Sequence, residues 1–300
     1  MSSILFSLGA ALAWGAADFT GGLASRRTGA HRAALYGEFF GLIFIVIAAF
    51  IIHQPMPGWS VLLLAAAAGA IGTTGLLSLF QSVIHGKMSI AMPVSALLAA
   101  ALPVLVGSLT EGFPGVLTFL GFLLALSAIW LISQEEGKDG RLLARLSDLR
   151  LPLLAGIGFG SFFILMDIAA REATLWPMLA SRAGGAFIVA IYMLFRHVSW
   201  RLARDVRPIL VLNAFLDVGG TAFYVLASQA GRLDVAAVIS SLFPGSTVIL
   251  AALLLKERVS RSQTIGILLA LAAILLKERV ARSQAIGILL ALAAIALLTI

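Results

Sequence analysis

Pro208-Ile-Leu-Val-Leu-Asn213-Ala-Phe-Leu-Asp217-Val-Gly-Gly-Thr-Ala-Phe-Tyr224-Val-Leu-Ala-Ser-Gln-Ala230 is apolar and long enough to cross a bilayer, yet carries an amide and a carboxylate near its middle. About 20 apolar helical residues span about 30 Å of hydrocarbon. A carboxylate at mid-membrane depth costs about 2.5–3.5 kcal/mol on insertion scales, so it is expected to face a protein interior or a wet cavity. Gly231-Arg232-Leu-Asp234 then makes a tight return. The next crossing, Val235 to Leu255, has Pro244 halfway along and ends in Lys256-Glu257-Arg258. A mid-helix proline breaks the backbone ladder, which lipid tolerates only where protein or water re-satisfies it. Both features predict a polar cavity inside a helical bundle.

Working outward, such apolar runs recur along the whole chain of 300 residues, which is 61% hydrophobic and only 12% charged. Soluble domains carry about 25% charged residues. The expected class is therefore an all-α polytopic membrane protein. The net charge of +7 raises nucleic acid as a partner. The arginines sit in short loops, however, so the positive-inside rule accounts for them and no nucleic-acid partner is expected. With no cysteine there is no disulfide framework, thiolate nucleophile or cysteine metal site. Met1-Ser-Ser leads into Ile4 without a basic region, so the first span is expected to be a retained helix and not a cleaved signal.

Spans are expected at 4–24, 32–52, 59–84, 89–110, 115–133, 151–170, 175–195, 208–230 and 235–255, with a tenth near the C-terminus. The polar segment 134–150 divides them, giving a first five-helix repeat at 1–133, a cytoplasmic linker at 134–150 and a second repeat at 151–300. The halves echo one another. Glu38-Phe-Phe-Gly41 aligns with Arg182-Ala-Gly-Gly185, Trp14-Gly15-Ala16 with Phe159-Gly160-Ser161, and His85-Gly86-Lys87 with Ala230-Gly231-Arg232. An odd number of spans per half inverts the second half in the membrane, as in inverted-repeat transporters. The loops after spans one, five, seven and nine are basic and the alternate ones nearly uncharged. This puts the basic loops in the cytoplasm and the N-terminus outside. Residues 254–295 are a near-perfect tandem copy of a 21-residue unit; one copy suffices for span ten, and the other is a possible eleventh helix with no derivable function.

With Trp14-Gly15, two five-span halves, and Phe243-Pro244 leading through Leu255 to Lys256-Glu257-Arg258-Val-Ser260, the chain resembles the EamA-type branch of the drug/metabolite transporter superfamily. The resemblance implies ten helices as two inverted five-helix repeats around a central substrate cavity, moving small metabolites, usually outward. Such proteins often carry an arginine in span two as well as span seven; here the span-two position is Glu38.

The charged residues within spans are Asp18, Glu38, Asp167, Arg182 and Asp217. Asp18 and Glu38 lie at similar depth and are candidate neighbours. Like charges in low dielectric resist joint ionisation, which suits a proton carrier; alternatively either acid pairs with Arg26, Arg27 or Arg32. Arg182 either holds a substrate carboxylate or neutralises Glu38 or Asp217. Asp167 is expected to pair with Arg171. Asn213, Tyr224, Trp14 and Gln81 are candidate cavity-lining residues, and Pro244 and Pro103 candidate gating points. The histidines lie at span ends at spacings unlike a zinc site, so neither metal nor cofactor is expected. No nucleophile–base constellation marks an enzyme.

The function expected is secondary transport, with export favoured, of a small polar metabolite such as an amino acid or amine by alternating access. The partners expected are that substrate, the lipid bilayer and protons, in a monomer or homodimer of the cytoplasmic (inner) membrane. An intramembrane lipid-handling protein or enzyme, or a passive channel, is the alternative.

Overall fold

A computed structural model describes residues 2–85, 88–132, 146–256 and 259–277. The described residues are helical, with no strand among them: α1 (Ser2–Thr28), α2 (Ala30–Ile52), α3 (Trp59–His85), α4 (Met88–Thr110), α5 (Val116–Ile132), α6 (Leu146–Ala169), α7 (Leu175–Phe195), α8 (Arg207–Gln229), α9 (Leu233–Ser240), α10 (Phe243–Leu255) and α11 (Arg261–Lys277). Most of the linker expected at 134–150, and most of the second tail copy, lie outside the described residues.

Among the described residues, seven segments are long and apolar enough to cross a membrane, with α9 and α10 counted as one, and Val94–Thr110 and Val116–Ile132 are shorter apolar helices. Their outer faces are bare hydrocarbon: Phe50, Leu109 and Phe195 are 76%, 86% and 77% exposed. A surface of that kind is stable against lipid and not against water. The molecule is a multi-pass membrane protein.

The chain stops its helices by local devices. His53 and Lys256 take left-handed φ values of 52° and 56° and return their N–H groups to Ala49 and Ala251, closing α2 and α10. α9 and α10 are two pieces of one crossing. Proline has no N–H to give the carbonyl four residues back. Here the ladder ends at Ser240, and Pro244 opens α10 in its first turn. Pro103, by contrast, sits buried within an unbroken α4. The span expected at 151–170 starts earlier than that, at Leu146, so Pro152 lies inside α6 and not at its start.

The heaviest packing runs between the sequence halves. α1 lies on α8, α3 on α6 and α7, α4 on α6, α5 on α11, and α2 on α7 and α8, while α9 and α10 lean on α1. The largest core cluster draws Ala10, Trp14, Ile45 and Ala65 from one half and Phe163, Met166, Met178 and Tyr224 from the other. Small residues permit the closest crossings. Cβ atoms built on Gly69 and Gly184 would run into the backbones of Ser181 and Ala66, so α3 and α7 meet backbone to backbone there.

Candidate functional site

Glu38 on α2, Arg182 on α7 and Asp217 on α8 converge in the middle of the bundle. By helical rise Asp18 and Asp217 lie about 15 Å, and Glu38 about 12 Å, from their helix ends on the arginine-rich side. Arg182 Nη1 donates to Glu38 Oε2 at 3.1 Å and to Asp217 Oδ2, and Nη2 donates to Thr221 Oγ1 at 2.9 Å. Thr221 Oγ1 donates in turn to the Asp217 carbonyl at 3.0 Å. Thr73 Oγ1 on α3 donates to Glu38 Oε1 at 3.1 Å, steadying that carboxylate from behind. The cluster thus ties α2 and α3 of the first half to α7 and α8 of the second.

Access to these groups is graded. The Arg182 and Glu38 side chains are 9% and 13% exposed, whereas Asp217 is 35% exposed. Asp18 is exposed, and the Asp217 carboxylate is close enough for the two charges to repel. No hydrogen bond or ion pair with a described residue holds Asp18. A buried, satisfied Arg182–Glu38 pair therefore backs an open face formed by Asp18 and Asp217. Formally, three carboxylates stand against one guanidinium, which favours a positively charged guest on the open side.

The pairing differs in detail from the sequence expectation. Glu38 joins Arg182 and neither Asp18 nor a loop arginine, and Arg32 instead donates to the Arg201 carbonyl at 3.2 Å. Arg182 neutralises both Glu38 and Asp217 at once, because a guanidinium has donors enough for several acceptors. Asp167 pairs with Arg171 at 2.9 Å.

Of the candidate lining residues, Asn213 Nδ2 donates to the Ala17 carbonyl at 2.7 Å, one turn of α8 from Asp217 and beside Asp18. Trp14 and Tyr224 are packed: their rings lie tilted against Phe163, and Tyr224, fully buried, donates its hydroxyl to the Phe163 carbonyl at 2.8 Å. Gln81 lies apart, donating to the Tyr192 hydroxyl at 3.2 Å. Thr73 and Thr221 are the site's unforeseen members. A lone threonine in an apolar helix usually bonds its own preceding turn, so only the i,i+4 spacing of Asp217 and Thr221 could have drawn attention to one of them. No group of acidic or histidine side chains able to hold a metal ion occurs among the described residues.

Comparison with known proteins agrees with this architecture. Residues 149–276 match the EamA-like transporter family. No curated protein matches the chain. A solved structure, described only as a crystal structure of a protein, superposes with a TM-score of 0.74 at 16% identity, covering 94% of this chain and 98% of that one. At that identity the likeness is one of fold. The chain is a multi-pass membrane protein in which residues 149–276 are similar to the EamA-like transporter family.

Proposed function

We propose that the protein is a secondary active transporter, working as an exporter, of small cationic or zwitterionic metabolites such as amines or amino acids. It works by alternating access in the cytoplasmic membrane, with the arginine-rich loops inside. The observation that carries this reading is the asymmetry of the central cluster. Arg182 is occupied by Glu38, Asp217 and Thr221, while Asp18 has no bonded partner among the described residues and shares an accessible face with Asp217. An ammonium group, or a proton, would relieve the repulsion between those two carboxylates. Exchange of one for the other at the same acids is a route to proton coupling.

The architecture that goes with this reading is ten crossings in two inverted five-helix repeats, 1–133 and 151–300. Exchanging the halves turns the α1–α8 contact into α6–α3, α4–α6 into the crossing of α9 and α10 on α1, and α3–α7 into α8–α2, while α2–α7, α4–α9 and α5–α11 map onto themselves. A helix pairing unchanged by that exchange is what a pseudo-two-fold axis between inverted repeats produces.

Counterflow in proteoliposomes tests the function. Vesicles loaded with an unlabelled amine or amino acid should transiently accumulate the labelled form from outside. Flux without such trans-stimulation would favour the channel alternative. Absence of flux across a panel of basic, neutral and aromatic amino acids and polyamines would count against the reading.

A further inference from the structure

We propose that Arg232 is a gate latch: it fastens the α8–α9 turn to the α4–α5 turn at the face opposite the arginine-rich loops, and it releases when that face opens. This rests on the transporter reading and adds to it the residue that holds one side of the pathway shut.

The latch has a fixed part and a releasable part. In the fixed part, Arg232 Nε lies 3.1 and 3.2 Å from the two Asp234 carboxylate oxygens, and Nη2 lies 2.7 Å from Asp234 Oδ2. Asp234 is fully buried, and the Val235 N–H donates to its Oδ1 at 2.7 Å. Hydrogen bonding to Asp234 pushes the Arg232 pKa up, so the guanidinium stays charged and oriented. In the releasable part, Arg232 reaches across the seam to the other half. Nη1 donates to the Glu111 carbonyl at 3.1 Å, Nη2 donates to the Gly112 carbonyl at 2.7 Å, and Nε lies 3.7 Å from Glu111 Oε2. Glu111 answers by accepting the Leu233 N–H on Oε1 at 3.3 Å.

The division of labour suits reversible closure. When the seam parts, Asp234 still compensates the Arg232 charge, so no bare ion is left in the protein. The bonds that break end on two loop carbonyls and a carboxylate that is 28% exposed. Water can replace partners of that kind at little cost. The neighbouring seam on the same face is built likewise: Gln54, in the turn after α2, accepts the Leu175 N–H on Oε1 and the Trp176 indole N–H on its carbonyl, each at 2.8 Å.

The chain has no cysteine, so paired labels can be introduced into the full-length protein without background. Nitroxides on Phe113→Cys and Ala230→Cys report the latch seam. Nitroxides on Met56→Cys and Glu172→Cys report the Gln54 seam. Dipolar EPR on purified protein in lipid nanodiscs then compares the parent with Glu111→Ala and Arg232→Gln. Glu111→Ala spares the Arg232–Asp234 pair and so keeps the test valid if Arg232→Gln fails to fold. The expected result is at least a doubling of the long-distance population at both seams in Glu111→Ala. Unchanged distributions at both seams, or a change confined to the Phe113–Ala230 pair, would overturn the proposal. No substrate is added, so the outcome is readable even if every transport assay fails.

Discussion

Three oxygens from two helices, Glu38 Oε2, Asp217 Oδ2 and Thr221 Oγ1, take up the Arg182 guanidinium, and each faces a different consequence when it is removed. Truncating Arg182 leaves Glu38 as an uncompensated buried acid. Arg182→Ala should therefore destabilise the fold by about 3–5 kcal/mol. Glu38→Gln, which keeps a hydrogen-bond acceptor, should cost clearly less, and thermal unfolding of the two variants in one detergent checks the order. Space is as constrained as charge. A Cβ on Gly185 would lie 2.6 Å from Thr73 Oγ1 and 2.8 Å from Glu38 Oε1. Gly185→Ala should lower stability by about 1–3 kcal/mol through overpacking. Gly219→Ala, where a Cβ meets open space, is the matched control and should be neutral or mildly stabilising. At this scale the sequence displays the charged residues as a set, because charge stands out in apolar spans. It hides who pairs with whom: Arg182 and Glu38 are 144 residues apart, and Thr73 carries no local mark of its bond to Glu38.

Among the elements, the ninth crossing is unlike the rest. α9 and α10 are separated at Ser241 and Leu242, and the Ser241 hydroxyl has no partner among the described residues. α1 is fitted against this break: Thr247 Oγ1 donates to the Gly15 carbonyl at 3.1 Å, and a Cβ on Gly15 would press on Ser246 and lie 2.7 Å from the Phe243 carbonyl. Restoring an N–H with Pro244→Ala lets the ladder run through. The variant should fold as well as the parent or better, and it should exchange substrate at least several-fold more slowly if the joint bends during transport, which counterflow rates measure. Equal rates would reduce the break to a packing detail. Tyr224→Phe tests the packed neighbourhood of Trp14: loss of the bond to the Phe163 carbonyl should cost about 0.5–1.5 kcal/mol, since that carbonyl lies inside α6 and keeps its helical partner. Element limits were widely legible. Spans expected at 59–84, 89–110, 115–133 and 175–195 are observed as 59–85, 88–110, 116–132 and 175–195, because Pro, Gly and polar loops punctuate apolar runs. The complete break at Ser240 was not, since a proline kinks a helix or ends it depending on what packs around it.

Over the whole molecule, the two halves share their cores, so neither half is expected to be stable alone. The orientation argued from loop charge has a direct check. A single cysteine at Phe113 should react with a membrane-impermeant maleimide added to intact cells. One at Trp200, in the arginine-rich loop after α7, should react only after permeabilisation. The reverse pattern would turn the exporter reading around. The hydropathy pattern carries the order of the apolar helices among the described residues, but not their interleaving, which comes from long-range contacts that no local stretch encodes. Central to the proposed function is that Asp217 and Asp18 would meet a transported cation on the open side of the Arg182 cluster. The most direct test is uptake and counterflow by Asp217→Asn in proteoliposomes, across a pH series, with the substrate identified for the parent protein. The account predicts a loss of at least tenfold in rate together with a flattened pH dependence. Parental rates with the parental pH profile would contradict it.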